Sequence, residues 1–191
     1  MNFDNIRVIL ASKSPRRREL LGKICTDFEI VTREVDESLP GGVTPKDGVR
    51  LLAIRKGEVI ACEEKNALVV SSDTLVEIDD VPLGKPCDRE DAFRMLRSLS
   101  GRAHNVHTGV AVHYKGKCYS GVASSHVYFK ELTDEEIWRY IDTGEPMDKA
   151  GSYGIQGEGG KFVDKYEGDF DTIMGLSLRL STELIEKALA D

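Results

Sequence analysis

Apolar residues fall along this chain in short continuous runs and in helically spaced sets, and the two kinds alternate. Ile6 to Ala11 is a run of buried-strand length. Ser12 to Pro15 break it, and RRRELLGKI continues at helical spacing, with Ser14 placed to cap the helix and Pro15 at its first position. Phe28 to Val31 reads as a second strand, followed by an acidic loop through Val35, Asp36 and Glu37 that the glycines at 41–42 prolong. Val49, Leu52, Ala53, Val59 and Ile60 predict a long helix from Pro45 to about Glu64. ALVVS at 67–71 is a further buried strand, and Asp73 lies just past its end. Leu75 to Leu83 then predicts a short hairpin turning at Asp79–Asp80.

Asp88 is placed to cap a helix through EDAFRMLRSL that stops at Gly101. Val106 to Tyr114 and Gly121 to Phe129 are both rich in strand formers, with Lys115–Gly116 as the turn between them. TDEE at 133–136 carries a capping-box pattern opening another helix, in which Trp138 reads as a core or lobe-interface residue. After a Gly-rich stretch from Gly151 to Gly160, an amphipathic helix from about Leu176 to Ala190 closes the chain. Strands alternating with helices early and a long hairpin late predict an α/β fold with a mixed sheet, one two-lobed domain over 1–191. A cleft is expected between the main sheet and the part carrying the 106–129 hairpin, at the carboxyl ends of strands.

Composition narrows the classes of function. A chain of 191 residues buries a core without disulfides or a structural metal. Its 33 acidic and 26 basic side chains leave a formal charge of −7, which gives no general attraction to nucleic acid or to a membrane surface. Cys25, Cys62, Cys87 and Cys118 are scattered without CxxC spacing and read as reduced, packed thiols. MNFDNIRVILAS has neither the charge pattern nor the length of a leader, and no apolar run approaches about 18–20 residues. A soluble, cytoplasmic protein is expected.

Four segments carry candidate chemistry. Ser12-Lys13-Ser14-Pro15-Arg16-Arg17-Arg18 sets hydroxyls, guanidiniums and helix-start N–H groups together, a phosphate cradle if it is not a solvated basic patch. Basic residues in a first helical turn oppose the dipole, which makes their position there conspicuous. Asp73 in Ser72-Asp73-Thr74 is placed to hold a cation or activate water, or is a simple turn aspartate. Lys85, held off helix by Pro86, would neutralise phosphate or lie on the surface, and Lys56 in the long helix faces the same choice. In DKAGSYGIQG at 148–157 the glycines admit close approach of a ligand, which Tyr153 would stack on and Gln156 hydrogen-bond, unless the loop is only irregular surface. A glutamine amide matches the edge of uracil or thymine. His104 and His107 sit at a strand start and read as structural.

Taken together, LASKSPRRRELL at 10–21, SSDTLVEIDDVPLGKP at 71–86, LSGRAHNVHTGVAV at 99–112, GEPMDKAGSYGIQGEGGKFV at 144–163 and GDFDTIMGLSL at 168–178 resemble the Maf family of nucleotide pyrophosphatases. The resemblance spans nearly the whole chain in order. It implies an elongated mixed β-sheet flanked by helices, akin to the inosine-triphosphate pyrophosphatases, with a nucleotide cleft between two lobes. The activity implied is hydrolysis of a nucleoside triphosphate between the α and β phosphates, helped by Mg²⁺ or Mn²⁺. By the same resemblance Asp73 corresponds to the acidic residue that accepts a proton from water. Ser12, Arg16, Lys56 and Lys85 match phosphate-contacting positions, and Glu37 an acidic residue that helps hold the cation with Asp73. Arg16, Thr74 and Gln156 fall where the branch acting on dTTP and UTP sets its selectivity. Ile155-Gln156-Gly157 looks like that branch, since the branch acting on 7-methyl-GTP carries Glu in this region. Ser177 departs from the family's usual proline, and only a local change is expected there.

The expected ligand is therefore a small nucleoside triphosphate, with no nucleic acid and no membrane as partner. Clearance of modified pyrimidine nucleotides is a competing enzymatic reading. A non-catalytic, nucleotide-binding regulator of cell division (septum formation) acting through a protein partner is the other. The sequence leaves the oligomeric state open, a homodimer among the options.

Overall fold

Phe3 and residues 5–191 are described in the computed structural model of the chain. Met1, Asn2 and Asp4, part of the opening stretch read above for a leader, lie outside the described residues. The chain divides into two units, one of Met1–Asp73, Thr108–Ala123 and Gly175–Asp191, the other of Thr74–His107 and Ser124–Met174.

In the first unit, β1 (Val8–Leu10) is buried at every residue and pairs in parallel with the short, exposed β2 (Glu29–Ile30). It also pairs in parallel with the start of β3 (Leu68–Ile78), Val8 opposite Leu68. Parallel strands need a crossover, and both are helical. The first, α1 (Pro15–Gly22), begins as the sequence predicts: Ser14 accepts from the Arg17 N–H and Pro15 takes the first position. The second, α2 (Pro45–Glu63), is capped by Thr44, which accepts from the Asp47 N–H. Ile9, Ala11, Ile60, Ala67 and Val69 form a core cluster between strand and helix.

One expectation is corrected here. β3 does not stop at Ser71 but runs eleven residues to Ile78, so Asp73 lies within a strand and not beyond its end. Ser71-Ser72-Asp73-Thr74 reads as a break because hydroxyls favour turns. Here the hydroxyls are satisfied from elsewhere: Ser71 donates to the Ala53 and Ala111 carbonyls at 2.7 and 3.3 Å, and Ser72 to the Gly175 carbonyl at 2.7 Å. Both serines are fully buried at no cost in unmade hydrogen bonds.

In the second unit β3 turns at Asp79 and Asp80, both with positive φ (52° and 61°), into the antiparallel β4 (Val81–Leu83), as the sequence predicts. Then come α3 (Arg89–Leu99), capped by Asp88, and the long strands β5 (Ala103–Tyr114) and β6 (Lys117–Phe129), of which Thr108–Ala123 belongs to the first unit. The turn joining them has positive φ at Lys115 and Gly116. α4 (Asp134–Asp142) opens on a complete Thr133/Glu136 capping box. β7 (Val163–Glu167), antiparallel to β6, and the short α5 (Phe170–Met174) have no counterpart in the sequence reading. β7 is exposed along most of its length and so lacks the apolar alternation that marks a half-buried strand. Among the described residues seven strands form one sheet in the order β2-β1-β3-β5-β6-β7, with β4 beside β3. The last helix, α6 (Leu178–Ala190), is capped by Ser177, whose hydroxyl accepts from the Leu180 N–H. The departure from proline thus supplies a helix cap, a local change. Among the described residues no helix is long and apolar enough to cross a membrane.

Val76, Leu96, Val127, Phe129, Ile137, Tyr140 and Tyr153 belong to the core of the second unit, and Trp138 packs against its edge, stacked on Phe93 at 4.7 Å. His104 lies within this core, 3% exposed, bonded to the Tyr153 hydroxyl at 2.8 Å and edge-on to Phe129. Its Nδ1 has no partner among the described residues. Burial pushes the imidazole down to about 4 from 6.5. The folded state therefore keeps His104 neutral where the unfolded chain takes up a proton, so stability present above pH 6.5 is lost as pH falls toward 4. Between pH 7 and pH 5 this one group removes about 2 kcal/mol. Urea unfolding at the two pH values should show stability lost in the wild type, and a loss smaller by about that amount in His104→Gln.

Three of the four cysteines depart from the expectation of packed thiols. Cys62, Cys87 and Cys118 are exposed, and only Cys25 is buried; all four are free.

Candidate active site

The turn after β1 brings hydroxyls and cations to the start of α1. Ser12 is buried, and its Oγ accepts from the Ser14 N–H at 3.2 Å with Arg17 Nη1 at 3.5 Å. Arg17 Nε donates to the Gly175 carbonyl at 2.9 Å, the same carbonyl that holds Ser72. Gly175 has φ +115°, a conformation glycine tolerates, and its carbonyl ties the α1 turn to β3. Burial lowers the Arg17 guanidinium; the charge of Asp73 pulls it back up and that of Arg16 pushes it down. An arginine still keeps its charge throughout the physiological range. The first turn of α1 holds no acidic side chain, so the positive end of the helix is left for an external anion.

Opposite charges gather on α2. Lys56 Nζ lies 2.6 Å from Asp73 Oδ1 and 2.8 Å from Glu37 Oε1. The Lys56 and Asp73 side chains are 19% and 14% exposed, against 62% for Glu37. Glu37 is held in place by its neighbours. Asp36 accepts from the Ser38 N–H and hydroxyl, both at 2.8 Å, and Arg55 donates to the Asp36 and Ser38 carbonyls. Adjacent residues of α2 thus fix the loop (Arg55) and meet its carboxylate (Lys56).

A cavity of about 490 Å³ opens here, lined among others by Ser12, Lys13, Arg17, Arg33, Glu37 and Lys56. Its volume is in the range that small ligands occupy. Of the predicted residues, Ser12, Glu37 and Lys56 line it, and Asp73 meets it through Lys56. Arg16 is half-buried on α1 and is not among the lining residues; Arg17, one position on, is. Arg17 is anchored beside the cavity by its bond to Gly175, 158 residues away, which spacing in the sequence does not show.

The other predicted residues belong to the second unit. Thr74 is half-buried in β3, Lys85 is exposed on the segment after β4, and Gln156 is exposed in the Gly-rich segment. The Gly151 N–H donates to the Gly84 carbonyl at 3.0 Å, which joins the segments carrying Lys85 and Gln156. Tyr153 is corrected: it is 5% exposed and engaged with His104 and Phe129, so it does not stack on a ligand. Glu145, absent from the sequence reading, is the hub of the Gly-rich segment. It accepts from the N–H groups of Glu158 and Gly159 at 3.0 and 3.3 Å and from the Tyr140 hydroxyl at 2.9 Å.

The Ham1 protein of Staphylococcus aureus matches with a TM-score of 0.53 at 18% identity, over 96% of this chain and 98% of that one. The architecture is therefore that of the Ham1-like α/β proteins. Within it, the chain belongs to the Maf-like protein family, whose model matches residues 7–188. Relatives include the dTTP/UTP pyrophosphatase of Bdellovibrio bacteriovorus, 43% identical over 94% of this chain and 97% of the relative. That of Pelotomaculum thermopropionicum is 44% identical, over 94% and 95%.

Proposed function

We propose that the chain is a cytoplasmic, divalent-cation-dependent pyrophosphatase that cuts dTTP and UTP to the monophosphate and pyrophosphate. The observation that carries this is Lys56 bridging Asp73 and Glu37 beside a cation-lined cavity at the start of α1. The names of relatives that the chain matches over nearly its full length support the substrate.

Ser12, Lys13 and Arg17 would hold phosphate oxygens, the arginine by a two-pronged bond that a lysine does not make. Lys56 would neutralise charge on the triphosphate and offset the repulsion between the two carboxylates that it bridges. Asp73 would take a proton from a water molecule lined up for attack on the α-phosphorus, with pyrophosphate leaving on the opposite side. In the second unit, Lys85 is assigned to phosphate charge, and Thr74 and Gln156 to the choice of base. Arg16, next to Arg17 on α1, is assigned to that choice as well.

The donor set fits a divalent cation. Glu37 and Asp73 converge on one point that an ammonium now shares. Among the described residues no three His, Cys, Asp or Glu side chains gather as a complete metal cage. Mg²⁺ is commonly held by one or two carboxylates plus substrate phosphates, which matches this pair. When bound, such a cation withdraws charge from the phosphate oxygens.

Initial rates on the eight common ribo- and deoxyribonucleoside triphosphates, with Mg²⁺ and after chelation, test the proposal. dTTP and UTP should be cut at least about tenfold better than the cytidine and purine nucleotides, a ratio of the size that one base-reading contact provides. Chelation should stop the reaction. Nucleotide binding without hydrolysis would pass the lead to the non-catalytic regulator.

A further inference from the structure

The Gly-rich segment is built around one carboxylate. Gly157 N–H donates to the Gly154 carbonyl at 3.2 Å, closing a turn with Ile155 and Gln156 at its corners. Both flanks of that turn are fastened to the same pair of side chains. On one side the Gly154 N–H donates to the Tyr140 hydroxyl at 3.2 Å, and that hydroxyl donates to Glu145 Oε1 at 2.9 Å. On the other side the N–H groups of Glu158 and Gly159 reach the two oxygens of the same carboxylate. Glu145 is itself held: Lys149 Nζ donates to its carbonyl at 2.7 Å, and its N–H donates to Thr143 Oγ1 at 3.1 Å.

Space around the carboxylate is filled. A Cβ at Gly157 would lie 2.5 Å from Glu145 Cδ, and one at Gly159 would lie 2.6 Å from the Tyr140 hydroxyl oxygen. Gly157 has φ −99°, which any residue adopts, so lack of room and not backbone conformation calls for glycine there. Burial opposes the charge on Glu145, yet the Glu158 N–H, the Tyr140 hydroxyl, the Gly159 N–H and Lys149 outweigh it, leaving the carboxyl below its ordinary range. The group accepts three hydrogen bonds as an anion, and Gln156 stands exposed at the corner of what it holds.

We propose that Glu145 is a positioning residue for base selection: its carboxylate clamps the 154–159 turn so that the Gln156 side chain reaches a pyrimidine base from one fixed place. This rests on the pyrophosphatase reading above. A clamped turn keeps the Gln156 backbone, and with it the reach of the amide, at one place beside the uracil or thymine edge, whereas a free turn would spread that reach and lose the preference over cytosine. A glutamine at 145 keeps the size of the side chain but places an NH₂ donor against groups that are themselves donors, so one flank of the turn is released.

The test compares wild type, Glu145→Gln, Gln156→Ala and the double variant on dTTP and dCTP. Glu145→Gln should lower the dTTP/dCTP ratio of kcat/KM by about tenfold, mostly through KM, with kcat changed by less than about threefold. Adding it to Gln156→Ala should change the ratio no further, because both act through one amide. Gly157→Ala, which presses on the carboxylate from the loop side, should shift the ratio the same way and serves if Glu145→Gln does not fold. An equal loss on both nucleotides, or a ratio that falls further in the double variant, overturns the clamp and leaves Glu145 a purely structural residue. A wild type that cuts no triphosphate overturns the pyrophosphatase reading, and this role with it.

Discussion

Asp73→Asn should lower kcat on dTTP by about a thousandfold while leaving the protein folded. General-base transfer contributes on the order of 10²–10⁴ to rate, and an amide of the same shape cannot accept the proton. The fold survives because the change strands no buried charge: Lys56 keeps Glu37 at 2.8 Å when its bond to Asp73 weakens. A single-turnover assay, with nucleotide affinity and thermal unfolding measured beside it, separates the chemical step from binding and stability. Activity within a few-fold of wild type would remove Asp73 from its assigned role. A collapse in unfolding temperature would make it a structural residue instead.

Gly109→Ala should produce the largest loss of stability of any single methyl group added to the first unit. Gly109 lies in β5 where α2 crosses it, and an added Cβ would run into the Val49 carbonyl and lie 2.8 Å from the Arg50 nitrogen. Both obstacles are main chain of a helix, which cannot swing aside as a flexible side-chain tip does. Overpacking of this kind commonly removes about 1–3 kcal/mol, and backbone on backbone belongs at or beyond the upper end. For a chain of this size, about 3 kcal/mol corresponds to a fall in Tm of roughly 6–12 °C. Because α2 carries Lys56, hydrolysis should fall as well, which calorimetry and an activity assay on the same preparation would register together. An unfolding temperature within about 2 °C of wild type would mean that helix and strand are not packed this closely.

Local rules made much of the frame legible. Ser14, Thr133 and Asp88 cap the helices they were expected to cap, since capping is a contact within three or four residues. The turn at Asp79–Asp80 follows from residues that tolerate positive φ, and that at Lys115–Gly116 from its glycine. Features that depend on distant partners were not legible. Ser71 and Ser72 look like a strand's end until the carbonyls of Ala53, Ala111 and Gly175 take their hydroxyls. The bond that anchors Arg17 goes to a carbonyl 158 residues away. Tyr153 has the composition of a ligand-stacking residue, but the core takes it. Glu145 has nothing around it in sequence to mark it, because the amides it holds come 13 and 14 residues later.

The site is legible in a different sense. Ser12, Glu37, Lys56 and Asp73 lie on four separate segments, and the first unit brings them to one cavity and its ion-pair network. No periodicity or spacing joins those residues: Ser12, Lys56 and Asp73 stand out one by one from their local context, each with a bland alternative, and Glu37 only through resemblance to a family. The geometry then gives each a physical reason: a helix start without acidic residues, a lysine between two carboxylates, and a loop fixed by the neighbouring arginine.

The measurement that bears most directly on the central claim is a phosphorus NMR time course of dTTP incubated with the wild-type protein and Mg²⁺. Cleavage between the α and β phosphates predicts dTMP and pyrophosphate growing in equal amounts, with no dTDP at any time. Release of inorganic phosphate with dTDP accumulating would place the cut at the γ-phosphate and contradict the account.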